Sequence, residues 1–131
     1  PRYLNTPGYV TVPELRKLTG AQLRSLLEEQ WRGTYPGRLL AVSGLTYAFD
    51  ATQAQGARVR DVHIGERALD EAATYTLAVN DFLLYGGDGF STLKAARNIE
   101  AGPLDRDALI AYLRAQPQPV RAPAQVRVRR Q

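Results

Sequence analysis

The stretch from Leu39 to Phe49 constrains the fold most, because both of its alternating faces are largely apolar. Leu39, Ala41, Leu45, Tyr47 and Phe49 fall on one face, and Leu40, Val42 and Ala48 on the other. A strand apolar on both faces belongs inside a sheet that is covered on both sides. With 131 residues, 44% of them apolar, the chain has material for one domain around one core. That mix excludes a wholly disordered chain. No run approaches the roughly 20 apolar residues of a membrane-spanning helix.

Other elements read from local signals. Tyr9 to Val12 reads as a strand that Pro13 ends or edges. Thr19 and Gln22 form a capping box, and Leu23, Leu26, Leu27 and Trp31 then recur on one helical face. Gly33 and Pro36-Gly37 close that helix. Ala57 to Ile64 and Thr74 to Asn80 read as strands, with a turn at Gly65-Glu66. A short helix is expected around Ser91–Ala96, and a second capped helix from Asp105, with Leu109, Tyr112 and Leu113 on one face. Val126 to Val128 suits a last strand. This order predicts an α+β fold with mixed, largely antiparallel sheets flanked by helices.

Charge and residue usage exclude several chemistries. The formal net charge is +4, and Arg121, Arg127, Arg129 and Arg130 account for all of it. Such a tail suits an anionic polymer, a solvated end or a charged edge strand. Nucleic acid is not the expected partner. There is no Cys and only one His, His63, so neither a thiolate site nor a His cluster can be built from this chain alone. Ser43 lacks the Gly-x-Ser-x-Gly elbow, and Asp105 and Asp107 suit the first turn of a helix. His63 reads as an edge or solvated residue, and Trp31 as core. The chain opens on Pro1 and contains no Met, as expected of a piece of a longer protein.

One segment stands apart, Asp81-Phe82-Leu83-Leu84-Tyr85-Gly86-Gly87-Asp88-Gly89-Phe90. Gly86 and Gly87 permit unusual backbone angles and a close approach to a ligand. An ionised Asp88 only accepts hydrogen bonds, which suits a pair of sugar hydroxyls. Phe82, Tyr85 and Phe90 offer aromatic faces on which a flat ring could stack. The same residues also suit a Gly-rich turn over core aromatics. No Lys-Ser/Thr follows the glycines, so this is not a P-loop.

Three segments in order resemble the C-terminal domain of the 5'-nucleotidase family. They are Leu18-Thr19-Gly20-Ala21-Gln22-Leu23, Val42-Ser43-Gly44-Leu45-Thr46-Tyr47, and Asn80 through Phe90. The resemblance implies a layered α/β/β/α domain over residues 1–118, truncated at its N-terminal side, with 119–131 as a basic tail or end strand. It also implies a nucleotide or nucleoside ligand, its base stacked on Phe82 and its ribose held by Asp88. Pro1 to Thr6 loosely echoes the segment that carries a second stacking aromatic, which would be Tyr3. Hydrolysis is expected from an N-terminal metallophosphoesterase domain holding two divalent metal ions, so this piece alone is expected to be inactive. The family's Gly-rich segment with base- and phosphate-touching Asn and Arg has no counterpart here. A periplasmic, secreted or cell-surface location follows from the family alone. The substrate stays open among nucleoside monophosphates, UDP-sugars, cyclic nucleotides and thiosulfate esters. A non-catalytic binding or interaction module of the same fold is the alternative.

Overall fold

The computed structural model describes residues 3–4, 13–32 and 38–131. The strands are β1 (Tyr3–Leu4), β2 (Pro13–Thr19), β3 (Leu45–Phe49), β4 (Val59–Ile64), β5 (Arg67–Ala68), β6 (Thr74–Asn80), β7 (Arg97–Ala101) and β8 (Val128–Arg130). The helices are α1 (Gly20–Glu28), α2 (Asp81–Leu84) and α3 (Asp105–Ala115), with 3-10 turns at Glu29–Trp31, Gly87–Gly89 and Ser91–Ala95. Two four-stranded sheets form, in the orders β1-β6-β2-β7 and β5-β4-β3-β8. Among the described residues, only β1 with β6 and β3 with β8 run parallel. The expected mixed, largely antiparallel architecture with helices is therefore present.

β3 is an interior strand, and adjacent residues Tyr47 and Ala48, on opposite faces, are both 0% exposed. It is shorter than the apolar run that announces it. Gly44 takes φ +78°, which cannot continue a pleated strand, so Leu39 to Gly44 approaches as a loop and Leu39 is exposed. Tyr9 to Val12 lies outside the described residues. The described strand in this region is β2, in which Pro13 stands opposite Asn80. Arg16 and Leu18 are buried while Lys17 and Thr19 are exposed, so β2 alternates as a strand must. Its charged residues hid that alternation from hydrophobic pattern reading.

Thr19 forms the expected capping box. Its Oγ1 accepts from Gln22 N at 3.2 Å, and its own N–H donates to Gln22 Oε1 at 2.8 Å. Leu23, Leu26, Leu27 and Trp31 are all buried, and Trp31 meets Phe49 with ring centroids 5.0 Å apart. One core joins α1 to both sheets through Leu18, Leu77 and Val79 on one side and Leu45, Tyr47 and Val62 on the other.

Two expectations about the C-terminal part need correction. α3 forms, but Leu104 occupies its N-cap without a side-chain hydrogen bond. Asp105 turns its carboxylate to the Arg106 N–H at 2.6 Å instead. The last strand begins at Val128 rather than Val126, pairing with β3 so that Tyr47 faces Val128 and Phe49 faces Arg130. The Arg-rich end is thus an edge strand, and its charges suit an edge that should not recruit further strands. No helix among the described residues is long and apolar enough to cross a membrane.

Candidate ligand loop

β6 ends in the core at Asn80, which is 5% exposed. Asn80 caps α2: its Oδ1 accepts from Leu83 N at 2.9 Å. The cap fixes where the chain leaves the sheet. Leu83 and Leu84 turn into the core, and Phe82 turns outward, 41% exposed. A single turn of helix thus converts a buried strand into a presented aromatic face.

The chain then reverses through Gly86 at φ +87°, Asp88 at φ +55° and Gly89 at φ +86°. Turn hydrogen bonds run from Gly86 N to Leu83 O at 2.9 Å and from Phe90 N to Gly87 O at 3.2 Å. Gly87 lies directly against Phe82. A methyl group placed on it would sit 2.5 Å from the Phe82 carbonyl oxygen and 2.6 Å from its ring. Glycine is required there for space. Asp88 is a non-glycine residue in the left-handed region, a conformation that costs free energy and recurs at ligand sites.

The Asp88 carboxylate forms an ion pair with the Arg38 guanidinium. The Asp88 side chain is 19% exposed and that of Arg38 70%. Sequence reasoning missed Arg38, since nothing in its neighbourhood links it to a loop fifty positions later. Its placement comes from the core. Gln30, 2% exposed, accepts from Arg38 N at 2.8 Å through its backbone and from Leu40 N at 2.7 Å through its side chain. The loop's far side is anchored by Glu29, 4% exposed. Its carboxylate accepts from Ser91 Oγ at 2.7 Å, Thr92 Oγ1 at 3.0 Å and Thr92 N at 3.1 Å, with Arg32 beside it at 3.2 Å. Lys94 packs its side chain over Gly86.

Of the sequence candidates, Phe82, Gly86, Gly87 and Asp88 share this loop. Tyr85 is 74% exposed, whereas Phe90 is 1% exposed and belongs to the core, so it cannot stack a ligand. Tyr3 sits in β1 opposite Ala78, with Leu4 opposite Val79, so β1 ends beside the start of α2. His63 lies on β4, half-buried, its Nδ1 2.9 Å from the Asp61 carbonyl oxygen. Ser43 lines a separate crevice between the sheets, of about 40 Å³, together with Leu18, Leu45 and Leu77. That volume suits water rather than a nucleoside. Among the described residues, no group of three or more His, Asp or Glu could hold a metal ion.

The chain is similar to a known family of proteins. The family profile described as 5'-nucleotidase, C-terminal domain, matches residues 15–95, more than half of the chain. A 5'-nucleotidase-related protein of Glossina morsitans morsitans is 34% identical over 109 residues, covering 74% of this chain and 20% of that protein. A cell wall protein of Listeria monocytogenes is 33% identical over 105 residues, covering 76% of this chain and 13% of its own length. The crystal structure of a 5'-nucleotidase precursor from Thermus thermophilus superposes with a TM-score of 0.80 at 33% identity, covering 92% of this chain and 25% of that one. The chain thus spans a fifth or less of these two relatives and a quarter of the Thermus protein. With the match running from the interior strand β2 through the loop at Asp88, the chain belongs to the 5'-nucleotidase C-terminal domain family.

Proposed function

We propose that this chain recognises the nucleoside part of a nucleotide for a metal-dependent phosphohydrolase. The base stacks on Phe82, and Asp88 accepts hydrogen bonds from the ribose hydroxyls. Tyr3 is the proposed second stacking ring, on the strength of β1 ending beside α2. One observation carries the reading: a single loop presents an outward aromatic ring, a shaded carboxylate and a glycine pressed against that ring. Stacking on an aromatic face is worth about 1–3 kcal/mol and tolerates different bases.

Hydrolysis belongs, in this proposal, to an N-terminal metallophosphoesterase domain of the same polypeptide with two divalent metal ions. This domain's share of the rate is orientation of the bound nucleotide. The 131-residue chain alone is then inactive. A location outside the cytoplasm is part of the same proposal, supported by the likeness to a cell wall protein.

The test is a titration of this chain with adenosine and uridine, followed by chemical shifts. Both should bind, with shifts centred on Phe82 and residues 86–89. Phe82→Ala should weaken binding about 5- to 150-fold, and Asp88→Ala should remove selectivity for ribosides over the free bases. Shifts centred on the Ser43 crevice, or binding by both variants indistinguishable from wild type, would refute the assignment.

A further inference from the structure

The Arg38–Asp88 ion pair places a competing donor on the carboxylate that the proposed ligand needs. Arginine only donates, and so do ribose hydroxyls towards a carboxylate. A diol reaching Asp88 must share or displace the guanidinium. Arg38 also changes the charge of the loop. Arg38 and Lys94 stand there against Asp81 and Asp88, so the loop is balanced. Without Arg38 its balance is negative, and an anionic ligand meets net repulsion.

We propose that Arg38 is a specificity-determining residue, which disfavours neutral nucleosides at Asp88 and favours ligands that carry negative charge. This rests on the nucleoside-binding reading above. The two effects act on different ligands. Competition for the carboxylate weakens every diol. Charge balance helps only an anionic one. The core sets the arrangement, since Gln30 holds the backbone of both Arg38 and Leu40. With its side chain 70% exposed, the Arg38 contact is weak enough for a ligand to displace it.

The experiment is calorimetric titration of the 131-residue chain with adenosine and with AMP, for wild type, Arg38→Ala, Arg38→Lys and Asp88→Ala. In Arg38→Ala, adenosine should bind about two- to five-fold more tightly, and the ratio of AMP to adenosine affinity should fall about two- to five-fold, since AMP gains the freed carboxylate but loses the charge balance. Arg38→Lys keeps the charge and should keep the AMP-to-adenosine ratio within about two-fold of wild type. Raising the salt concentration should shrink both effects, because both act through exposed charges. Equal weakening of both ligands by Arg38→Ala would show a merely structural role and overturn the proposal. So would an unchanged ratio. If Asp88→Ala weakens both ligands while Arg38→Ala moves neither, only the assignment of Arg38 falls. If neither ligand binds the wild type, the nucleoside reading falls with it.

Discussion

Gly87→Ala puts the ligand loop to its most direct test. The added methyl carbon would lie 2.5 Å from the Phe82 carbonyl oxygen and 2.6 and 2.7 Å from two of its ring carbons. Those carbon contacts fall about 1 Å short of the ~3.5 Å at which carbon atoms pack. The ring can swing, being partly exposed, but the carbonyl belongs to α2 and resists. Overpacking of this kind costs about 1–3 kcal/mol. At about 4 °C per kcal/mol for a chain of this size, the melting temperature should fall by about 4–12 °C. Nucleoside affinity should fall at least about tenfold, because relief comes by moving the ring on which the base stacks. Gly89→Ala is the control: φ is +86° but a methyl there meets nothing within 4 Å. It should cost about 1 kcal/mol of backbone strain and leave the Phe82 ring in place. Thermal unfolding by circular dichroism and the nucleoside titration read both variants. A Gly87→Ala protein with unchanged melting temperature and affinity would refute the packing argument.

Two further predictions concern backbone strain and pH. Because Asp88 has φ +55°, Asp88→Gly should be more stable than Asp88→Ala by about 1 kcal/mol, reversing the usual order of Gly and Ala; denaturant unfolding of the pair measures it. Burial pushes the Tyr47 phenol above its ordinary value of 10.0, with its Gln30 hydrogen bond partly opposing. The folded state thus holds that proton more tightly. The stabilisation is complete below about pH 10 and is lost as pH rises through the raised value. Alkaline unfolding should therefore steepen above pH 10 in wild type and less in Tyr47→Phe. At the acid end, hydrogen bonds from the Thr52 side chain and backbone hold the Asp50 carboxyl below 3.8, aided by Gln53 and Arg60. Its contribution is present above about pH 4 and is lost as pH falls through the lowered value. Asp50→Asn should flatten the stability profile below pH 4, and an unchanged profile would contradict the assignment.

Local sequence determined the elements whose signals are short-range. The Thr19 capping box needs only residues three apart, and α1 begins where that box places it. β6 ends where Asn80 caps α2, and the loop from Asp81 to Phe90 stands out by composition alone. The two-faced apolar run at Leu39–Phe49 announced an interior strand, which β3 is. Tertiary structure decided the rest. β2 carries Glu14, Arg16 and Lys17 and looks polar in isolation, yet pairing with β6 and β7 makes it interior. Phe90 and Phe82 are equally aromatic, and only the turn through three left-handed residues sends one into the core and the other outward. Asp88 was legible as an acceptor, but its partner was not, because Arg38 reaches it through a buried Gln30 that no local pattern marks. Periodicity and capping act over a few residues, whereas which charge meets which carboxylate depends on how distant segments pack around the core.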